Sequence, residues 1–369
     1  MAAHDRGVHH TAPSLLAVLC CAVLQCYFIR EQLLLHRFLM LKMFLSAACT
    51  SVLVFTFLPL LSRTGAERIA HRRTTMTRTL AEQRGVPALV MGGGLLGVGM
   101  AVSGSCPGTV FAQVGSGSHV ARFVLAGGIL AAAIYPLLEL LPAFSQALKR
   151  GRAKFQTQTL PDLLGVTRTD SWRVSLVVAV CFASLVGALE YFFPWRVELD
   201  ALLPLQSHQG ISAAWAILPA AVPPWVAGVM VGSLQIPLIL LVDKQLGSSS
   251  SYVTLVANLV HAVSPRACAK VPSYNSKRDG WWQVWLMCGV WLGAFVLTSA
   301  NEAPIVSDYL VSPLQAILGG FFLVTGSRIA SGCTSGHGIS GMGYLALNSF
   351  IAVAAMFGMG IVTARILFK

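Results

Sequence analysis

Long runs of apolar residues alternate along the chain with short polar stretches rich in arginine and lysine. A helix that crosses a bilayer needs about 20 mostly apolar residues, and runs of roughly that length recur along this sequence. They are Ser14–Ile29, Phe38–Leu61, Val120–Leu141, Val174–Phe193, Val222–Val242, Trp282–Ala300 and Tyr344–Phe368. The pattern predicts an all-α integral membrane protein with several crossings, in which the polar stretches are loops.

Composition and charge agree with this prediction. Hydrophobic residues make up 55% of the 369 positions and charged residues 11%, whereas soluble domains carry about 25% charged residues. The net charge is +12, and most of the basic residues lie between the apolar runs, as in Arg63–Arg84. Membrane topology and anionic lipid head groups explain it, so the lipid bilayer is a predicted partner and nucleic acid is not. No small-residue cleavage site follows the run from Ser14, which we therefore interpret as a span and not as a signal peptide.

Two segments of the chain are similar to each other. Gly92–Gly108 aligns without gaps with Gly319–Gly336 through Cys106 and Cys333, and each segment continues through a polar, glycine-rich patch into an apolar run. The alignment predicts two related repeats. The predicted units are a first transmembrane repeat at 1–148, a polar connector at 149–172 and a second transmembrane repeat at 173–369.

We expect the chain to break at the cysteine of each repeat. Pro107 disfavours a helical conformation at Cys106, so two half-helices, or a re-entrant pair, should meet at each thiol around a path shielded from lipid. The stretch before the first break is basic, whereas the stretch before the second carries Glu302 and Asp308. The positive-inside tendency then predicts inverted repeats. If the first broken segment turns back, however, the basic connector lies opposite Arg63–Arg84, and the topology stays open.

The two breaks also carry the candidate chemistry. Glycine-rich helix breaks expose backbone N–H groups that attract anions, and thiols add weak, polarisable donors. Conduction needs several weak sites, so uncharged thiols favour a soft, sulfur-bearing anion passed from one site to the next. The predicted permeation residues are Gly104, Ser105, Cys106, Pro107 and Gly108 in the first break, and Gly332, Cys333, Thr334, Ser335, Gly336, His337 and Gly338 in the second.

Structural alternatives compete with several of these assignments. Gly104 with Gly108, and Gly332 with Gly336, also fit the GxxxG pattern of close helix packing. Cys333 and His337 fit half of a metal site, but no carboxylate accompanies them and Cys106 has no nearby histidine, so neither a metal nor another cofactor is predicted. His337 also fits a hydrogen-bonded structural histidine.

Further candidates lie outside the two breaks. Arg328 is a single charge in an apolar helix, which marks either a functional residue or an arginine that snorkels or pairs with backbone. Ser248 and Ser249 belong to the sequence GSSSSY, Gly247–Tyr252. This stretch starts either a non-spanning helix that points inward or a capped surface helix.

The motifs resemble a known family. Gly326–Gly341 closely resembles the signature of the YeeE/YedE sulfur-transport family, Gly97–Gly108 resembles its companion repeat, and Ile29–Leu45 is similar to the start of that repeat. The resemblance implies an hourglass-like helical protein that takes up thiosulfate or a related sulfur compound. It also implies that Cys106 and Cys333 contact the anion in turn.

Other features of the resemblance leave alternatives open. Some family members have a third cysteine early in the chain, where Leu24 aligns here and Cys26 lies two residues further on. A transporter is the first hypothesis, and an enzyme is not expected. A membrane sulfurtransferase-like protein that hands sulfane sulfur, as a cysteine persulfide, to a cytosolic sulfurtransferase is the second. A packing subunit without its own solute is the third.

Overall fold

The protein is built from helices, as the apolar runs predict. The computed structural model describes residues 25–83, 85–151, 158–167, 170–200, 222–301 and 311–368, and these contain no β-strand. The helices are α1 (Gln25–Leu33), α2 (Leu39–Leu61), α3 (Arg63–Gln83), α4 (Val86–Ser103), α5 (Thr109–Gly115), α6 (His119–Leu138), α7 (Pro142–Lys149), α8 (Leu160–Leu163), α9 (Ser171–Phe192), α10 (Trp195–Asp200), α11 (Pro224–Val242), α12 (Ser250–Val263), α13 (Pro265–Lys270), α14 (Pro272–Lys277), α15 (Trp281–Asn301), α16 (Pro313–Ile329) and α17 (Leu347–Leu367). A π-helical segment, Thr334–Gly341, separates α16 from α17.

The predicted multi-span membrane protein is confirmed. Within the described ranges, α2, α4, α6, α9, α11 and α17 are each long and apolar enough to cross a bilayer. A seventh candidate is α16 together with the π-helical segment, which are bent by 46° at the second break. Helix α15 covers the predicted run Trp282–Ala300. Most of the run Ser14–Ile29 lies outside the described residues, as do Cys20 and Cys21.

The basic stretch before the first break is a helix, so its prediction as a loop was wrong. Helix α3 lies along the end of α11, where the side chain of Arg68 donates hydrogen bonds to the carbonyls of Ile239 and Leu240 at 2.9 and 2.8 Å. Arg72 forms a two-bonded ion pair with Asp243, at 3.0 and 2.6 Å. These arginines therefore pair with the polar end of a span, a contact that composition alone does not reveal.

The segment that contains the first break, from α4 to α7, begins and ends on the same face of the protein. The N–H of Gly85, just before α4, donates to the carbonyl of Leu148 at 2.8 Å, and the N–H of Val86 donates to that of Gly151 at 3.3 Å. The start of the connector and the end of α3 therefore lie on the same face of the protein, which we call the basic face. The alternative in which the connector lies opposite Arg63–Arg84 does not occur. The repeat relationship and its inversion stay predictions, since Glu302 and Asp308 lie outside the described residues.

The two helices that lead to the cysteines pack side by side at the centre of the bundle. A Cβ atom on Gly92 of α4 would lie 2.4 Å from the backbone nitrogen of Ala330, just past the end of α16. On the other side of α4, a Cβ on Gly97 would lie 2.0 Å from the carbonyl oxygen of Met356 in α17. Only residues without a side chain allow backbones to approach this closely. The small residues of α4 thus bring both breaks to the interior.

A buried lysine holds α9 and α10 against α2. Lys42 is 0% exposed, and its Nζ lies 3.0 Å from Oε2 of Glu190 and 2.8 Å from Oε2 of Glu198. It also donates to the carbonyl of Phe193. The second oxygen of Glu198 accepts the N–H of Phe38 at 2.5 Å. We call Lys42, Glu190 and Glu198 the lysine cluster, and it ties the outer helices to the bundle.

Candidate functional site

The first break lies between α4 and α5. Gly104 ends α4 with a φ of 65°, a left-handed conformation that glycine adopts at little cost. The N–H of Cys106 then donates to Oγ1 of Thr109 at 2.8 Å, and the N–H of Thr109 points at the Cys106 sulfur at 3.4 Å. Ser105 is buried and donates to Oε1 of Gln113 at 2.7 Å. The predicted break at Cys106 is therefore present, although α4, with 18 residues, is longer than the expected half-helix.

The second break follows α16. Ser331 adopts a φ of 61°, and Cys333 is extended before the π-helical segment begins at Thr334. The Cys333 sulfur is 1% exposed and lies 3.3 Å from Oγ of Ser335 and 3.4 Å from Oγ of Ser248. The second thiol is thus surrounded by hydroxyl groups.

A third element brings the two breaks together. Helix α12 has 14 residues, too few to span a bilayer, and the serines at its start are buried. Its Ser248 contacts Cys333, while the hydroxyl of Tyr252 donates to the carbonyl of Pro107 at 3.0 Å. The Gly247–Tyr252 stretch therefore starts an inward-pointing helix, and the alternative of a surface helix is wrong. We call residues 248–250 the serine tip.

The glycines next to the thiols leave space instead of packing helix against helix. Among the described residues, a Cβ on Gly336 would have one neighbour within 4 Å, the Cys333 sulfur at 3.9 Å. A Cβ on Gly108 would meet only Ser248, with Oγ at 3.2 Å. The close backbone contacts lie further back, at positions such as Gly92 and Gly97. The GxxxG packing alternative thus does not describe Gly108 and Gly336.

His337 supports the second break from behind. Its Nε2 lies 3.0 Å from the carbonyl oxygen of Ala330 and its Nδ1 lies 3.1 Å from Oγ of Ser349. A carbonyl can only accept, so Nε2 carries the proton and Nδ1 accepts from Ser349. The ring also fills the space beside Gly332, where a Cβ would lie 2.6 Å from it. This is the geometry of a structural histidine. Gly338 likewise packs against the protein, on the ring of Phe44.

Arg328 is directed towards the serine tip. Its Nη2 donates to Oγ of Ser249 at 2.5 Å and its Nη1 donates to Oγ of Ser250 at 3.2 Å. The guanidinium therefore does not snorkel to the bilayer surface. Its position holds the start of α12 next to Cys333.

Two methionine sulfurs lie beside the second break. The hydroxyl of Thr334 is 3.5 Å from the sulfur of Met356 and 3.7 Å from that of Met100. Cys106 packs against the cluster of buried residues that contains both methionines. Sequence reasoning missed this pair, because methionine in an apolar helix usually fills a core.

A cavity of about 950 Å³ leads from the basic face to Cys333. Arg328, Gly332, Cys333 and Gly336 line its inner end, and residues of α3, α7 and α14 line the outer part. Cys106, which is partly buried, is not among the residues that line it. The side chain of Cys26 lies outside the described residues, so a third thiol site stays a prediction.

Comparison with known proteins covers nearly the whole chain. The family model described as sulphur transport matches residues 25–363. No curated protein matches this sequence. The matched range contains both breaks, the serine tip and, among the described residues, five of the six helices that qualify as spans in full and most of the sixth, α17. The protein therefore belongs to the sulphur-transport (YeeE/YedE) family.

Proposed function

We propose that the protein passes thiosulfate, or a sulfur anion of the same kind, across the membrane by way of Cys106 and Cys333. The family establishes transport of a sulfur compound. One observation supports the finer proposal most strongly: a cavity that opens on the basic face ends at a buried thiol where two helix breaks and the serine tip converge.

The groups around Cys333 suit a weak, reversible site. The hydroxyls of Ser248 and Ser335, which lie 3.4 and 3.3 Å from the Cys333 sulfur, are neutral hydrogen-bonding groups. A neutral hydrogen bond contributes about 1 kcal/mol net. A few such bonds hold an anion briefly without trapping it, which conduction requires.

Sulfur atoms along the path favour a sulfur-bearing end of the solute. Met100 and Met356 contact Thr334 with their sulfur atoms, beside the second break. Cys106 packs against the cluster of buried residues that contains both methionines. Thiol and thioether sulfurs are polarisable and interact well with soft groups. Thiosulfate has a terminal sulfur and sulfate does not, so the path should conduct thiosulfate better.

The charge distribution gives the proposed path an orientation. The basic face carries α3, the connector and the mouth of the cavity. Basic segments stay predominantly on the cytoplasmic side. We infer that the cavity opens to the cell interior, so that an imported anion meets Cys106 before Cys333.

Uptake of radiolabelled thiosulfate by proteoliposomes tests the proposal. We expect Cys106→Ala and Cys333→Ala each to lower the initial rate at least tenfold, because each substitution removes one of the two thiol binding sites along the same permeation path. Cys288→Ala is the matched control, since this thiol is exposed on α15, and it should leave the rate unchanged. Wild-type rates in both alanine variants would refute the proposal.

The same preparations separate transport from persulfide transfer. After turnover with thiosulfate, mass spectrometry of the peptides containing Cys106 and Cys333 should show unmodified thiols. An added sulfur atom on either cysteine would indicate that the protein carries sulfane sulfur covalently.

A further inference from the structure

The cavity above Cys333 has a concentration of positive charge that the thiol path does not use. Its charged lining residues are Arg72, Lys149, Lys244, Lys277 and Arg328, against Glu139 and Asp279. Arg72 is already paired with Asp243. Within the described part of the chain, neither Lys244 nor Lys277 forms an ion pair. The cationic lining therefore exceeds the anionic lining, and two of the lysines have no carboxylate partner there.

The carboxylates in the cavity are engaged elsewhere. Glu139 accepts hydrogen bonds from the hydroxyls of Tyr135 and Ser273. Asp279 lies 3.4 Å from the guanidinium of its neighbour Arg278. Among the described residues, neither carboxylate therefore forms an ion pair with Lys244 or Lys277.

Lys277 and Arg328 both contact the first part of helix α12 or the serines at its start. The hydroxyl of Thr254, in the first part of α12, donates to the carbonyl of Lys277 at 2.9 Å. Arg328 binds Ser249 and Ser250 at the start of the same helix. The N-terminus of a helix carries partial positive charge and therefore adds to the field of both cations.

The electrostatics reveal how crowded these charges are. Partial removal from bulk water inside the cavity, together with the charges of Arg328 and Lys244, lowers the pKa of Lys277 to about 8. Removal from water and the charge of Arg72 also lower the pKa of Lys244. Lysines held this close together are stabilised in their charged form when an anion lies between them.

We propose that Lys244, Lys277 and Arg328, with the serine tip, form a binding site for a free divalent oxyanion of the sulfate and thiosulfate class. This inference rests on the proposed function, because it gives the same solute a further binding site between the thiols and the basic face. The site recognises charge and tetrahedral oxygen atoms, so sulfate should bind as well as thiosulfate. Selection for sulfur then takes place only at the thiols.

The proposal predicts a pH dependence with a definite sign. Lys277 must be protonated to attract a dianion, so affinity should be full well below pH 8 and fall as the pH rises through it. The charged groups that line the same cavity as Lys277 are Arg328 on α16, Lys244 after α11, Arg72 on α3, Lys149 on α7, Glu139 after α6 and its neighbour Asp279, and Arg278 is its other charged neighbour in the chain. Arginine stays charged in this range, and Lys277→Arg should therefore bind sulfate equally well above pH 8.

Equilibrium binding of radiolabelled sulfate to the purified full chain, in a neutral detergent without lipid, tests this site. We expect Lys244→Ala and Lys277→Ala each to weaken binding about tenfold. A tenfold change in affinity is equivalent to an interaction between the anion and the ammonium group that raises the pKa of the lysine by about one unit. Lys270→Ala is the matched control, an exposed lysine on α13 outside the cavity. If Lys277→Ala does not fold, the pH profile of Lys277→Arg decides the question.

Unchanged sulfate affinity in both alanine variants, or a Lys277→Arg profile identical to that of the wild type, would overturn the inference. Displacement of sulfate by equimolar phosphatidylglycerol would also overturn it, by assigning the cavity to lipid head groups. Because the assay measures sulfate binding and not thiosulfate flux, its failure leaves the thiol path standing.

Discussion

The lysine cluster gives the most quantitative prediction about this fold. Lys42 is fully buried and its ammonium contacts Glu190 and Glu198 at 3.0 and 2.8 Å. Lys42→Met keeps most of the side-chain volume and removes the charge. Two carboxylates then remain at the junction of α2, α9 and α10 without their cation.

The size of the effect follows from the geometry. With an effective dielectric constant of about 20, each ion pair at these distances is worth about 5–6 kcal/mol before desolvation. Desolvation of the three groups offsets much of this energy, and loss of one partner from a buried pair typically costs about 3–5 kcal/mol. We therefore expect Lys42→Met to lower the free energy of unfolding by about 4 kcal/mol, or the melting temperature by about 5 °C, because the unfolding entropy of a chain of 369 residues gives about 1.3 °C per kcal/mol.

Thermal unfolding in detergent, followed by loss of the monodisperse peak in size-exclusion chromatography, measures this change. Adding Glu190→Gln and Glu198→Gln to Lys42→Met should restore most of the lost stability, because no buried charge is then left unpaired. Lys270→Met is the control for the loss of an exposed lysine. A Lys42→Met melting temperature within about 1 °C of the wild type, by the scale of about 1.3 °C per kcal/mol, would contradict this expectation.

Three further predictions concern the site. Gly336→Ala places a methyl group beside the second thiol, with no other atom of the described residues within 4 Å, so it should lower thiosulfate uptake several-fold without loss of folded protein. Gly358→Ala is the control: in the described part of the chain nothing lies within 4 Å of the added methyl group, and the substitution should change neither uptake nor the amount of folded protein. Tyr252→Phe removes a 3.0 Å hydrogen bond to a carbonyl of the first break, and should lower the free energy of unfolding by about 1 kcal/mol in denaturant titration. Met100→Leu conserves volume but removes a sulfur, so it should reduce the ratio of thiosulfate to sulfate flux in proteoliposomes while the expression level is unchanged.

Local chemistry was enough to predict the helices and the breaks. Apolar runs of bilayer length have few alternatives to a spanning helix, and the proline after Cys106 acts on the residue next to it. The glycine-rich α4 was recognised only in part. Its glycines suggested a short half-helix, whereas close contact with α16 and α17 stabilises 18 helical residues.

Features that depend on distant residues were out of reach. Lys42 binds carboxylates 148 and 156 positions away in the chain, and no pattern in the sequence joins them. The serines before α12 look the same whether they cap a helix in water or approach a buried thiol, and only the contacts with Cys333 and Pro107 distinguish these cases. The cationic cavity is likewise assembled from helices far apart in sequence.

A structure of the protein with bound thiosulfate tests the central claim most directly. We expect density for the anion between the serine tip and the breaks, with its terminal sulfur in hydrogen-bonding contact with the thiol of Cys333 or Cys106. Thiosulfate bound only at the lipid-facing surface, or both thiols sealed from the solute by packed side chains, would contradict it.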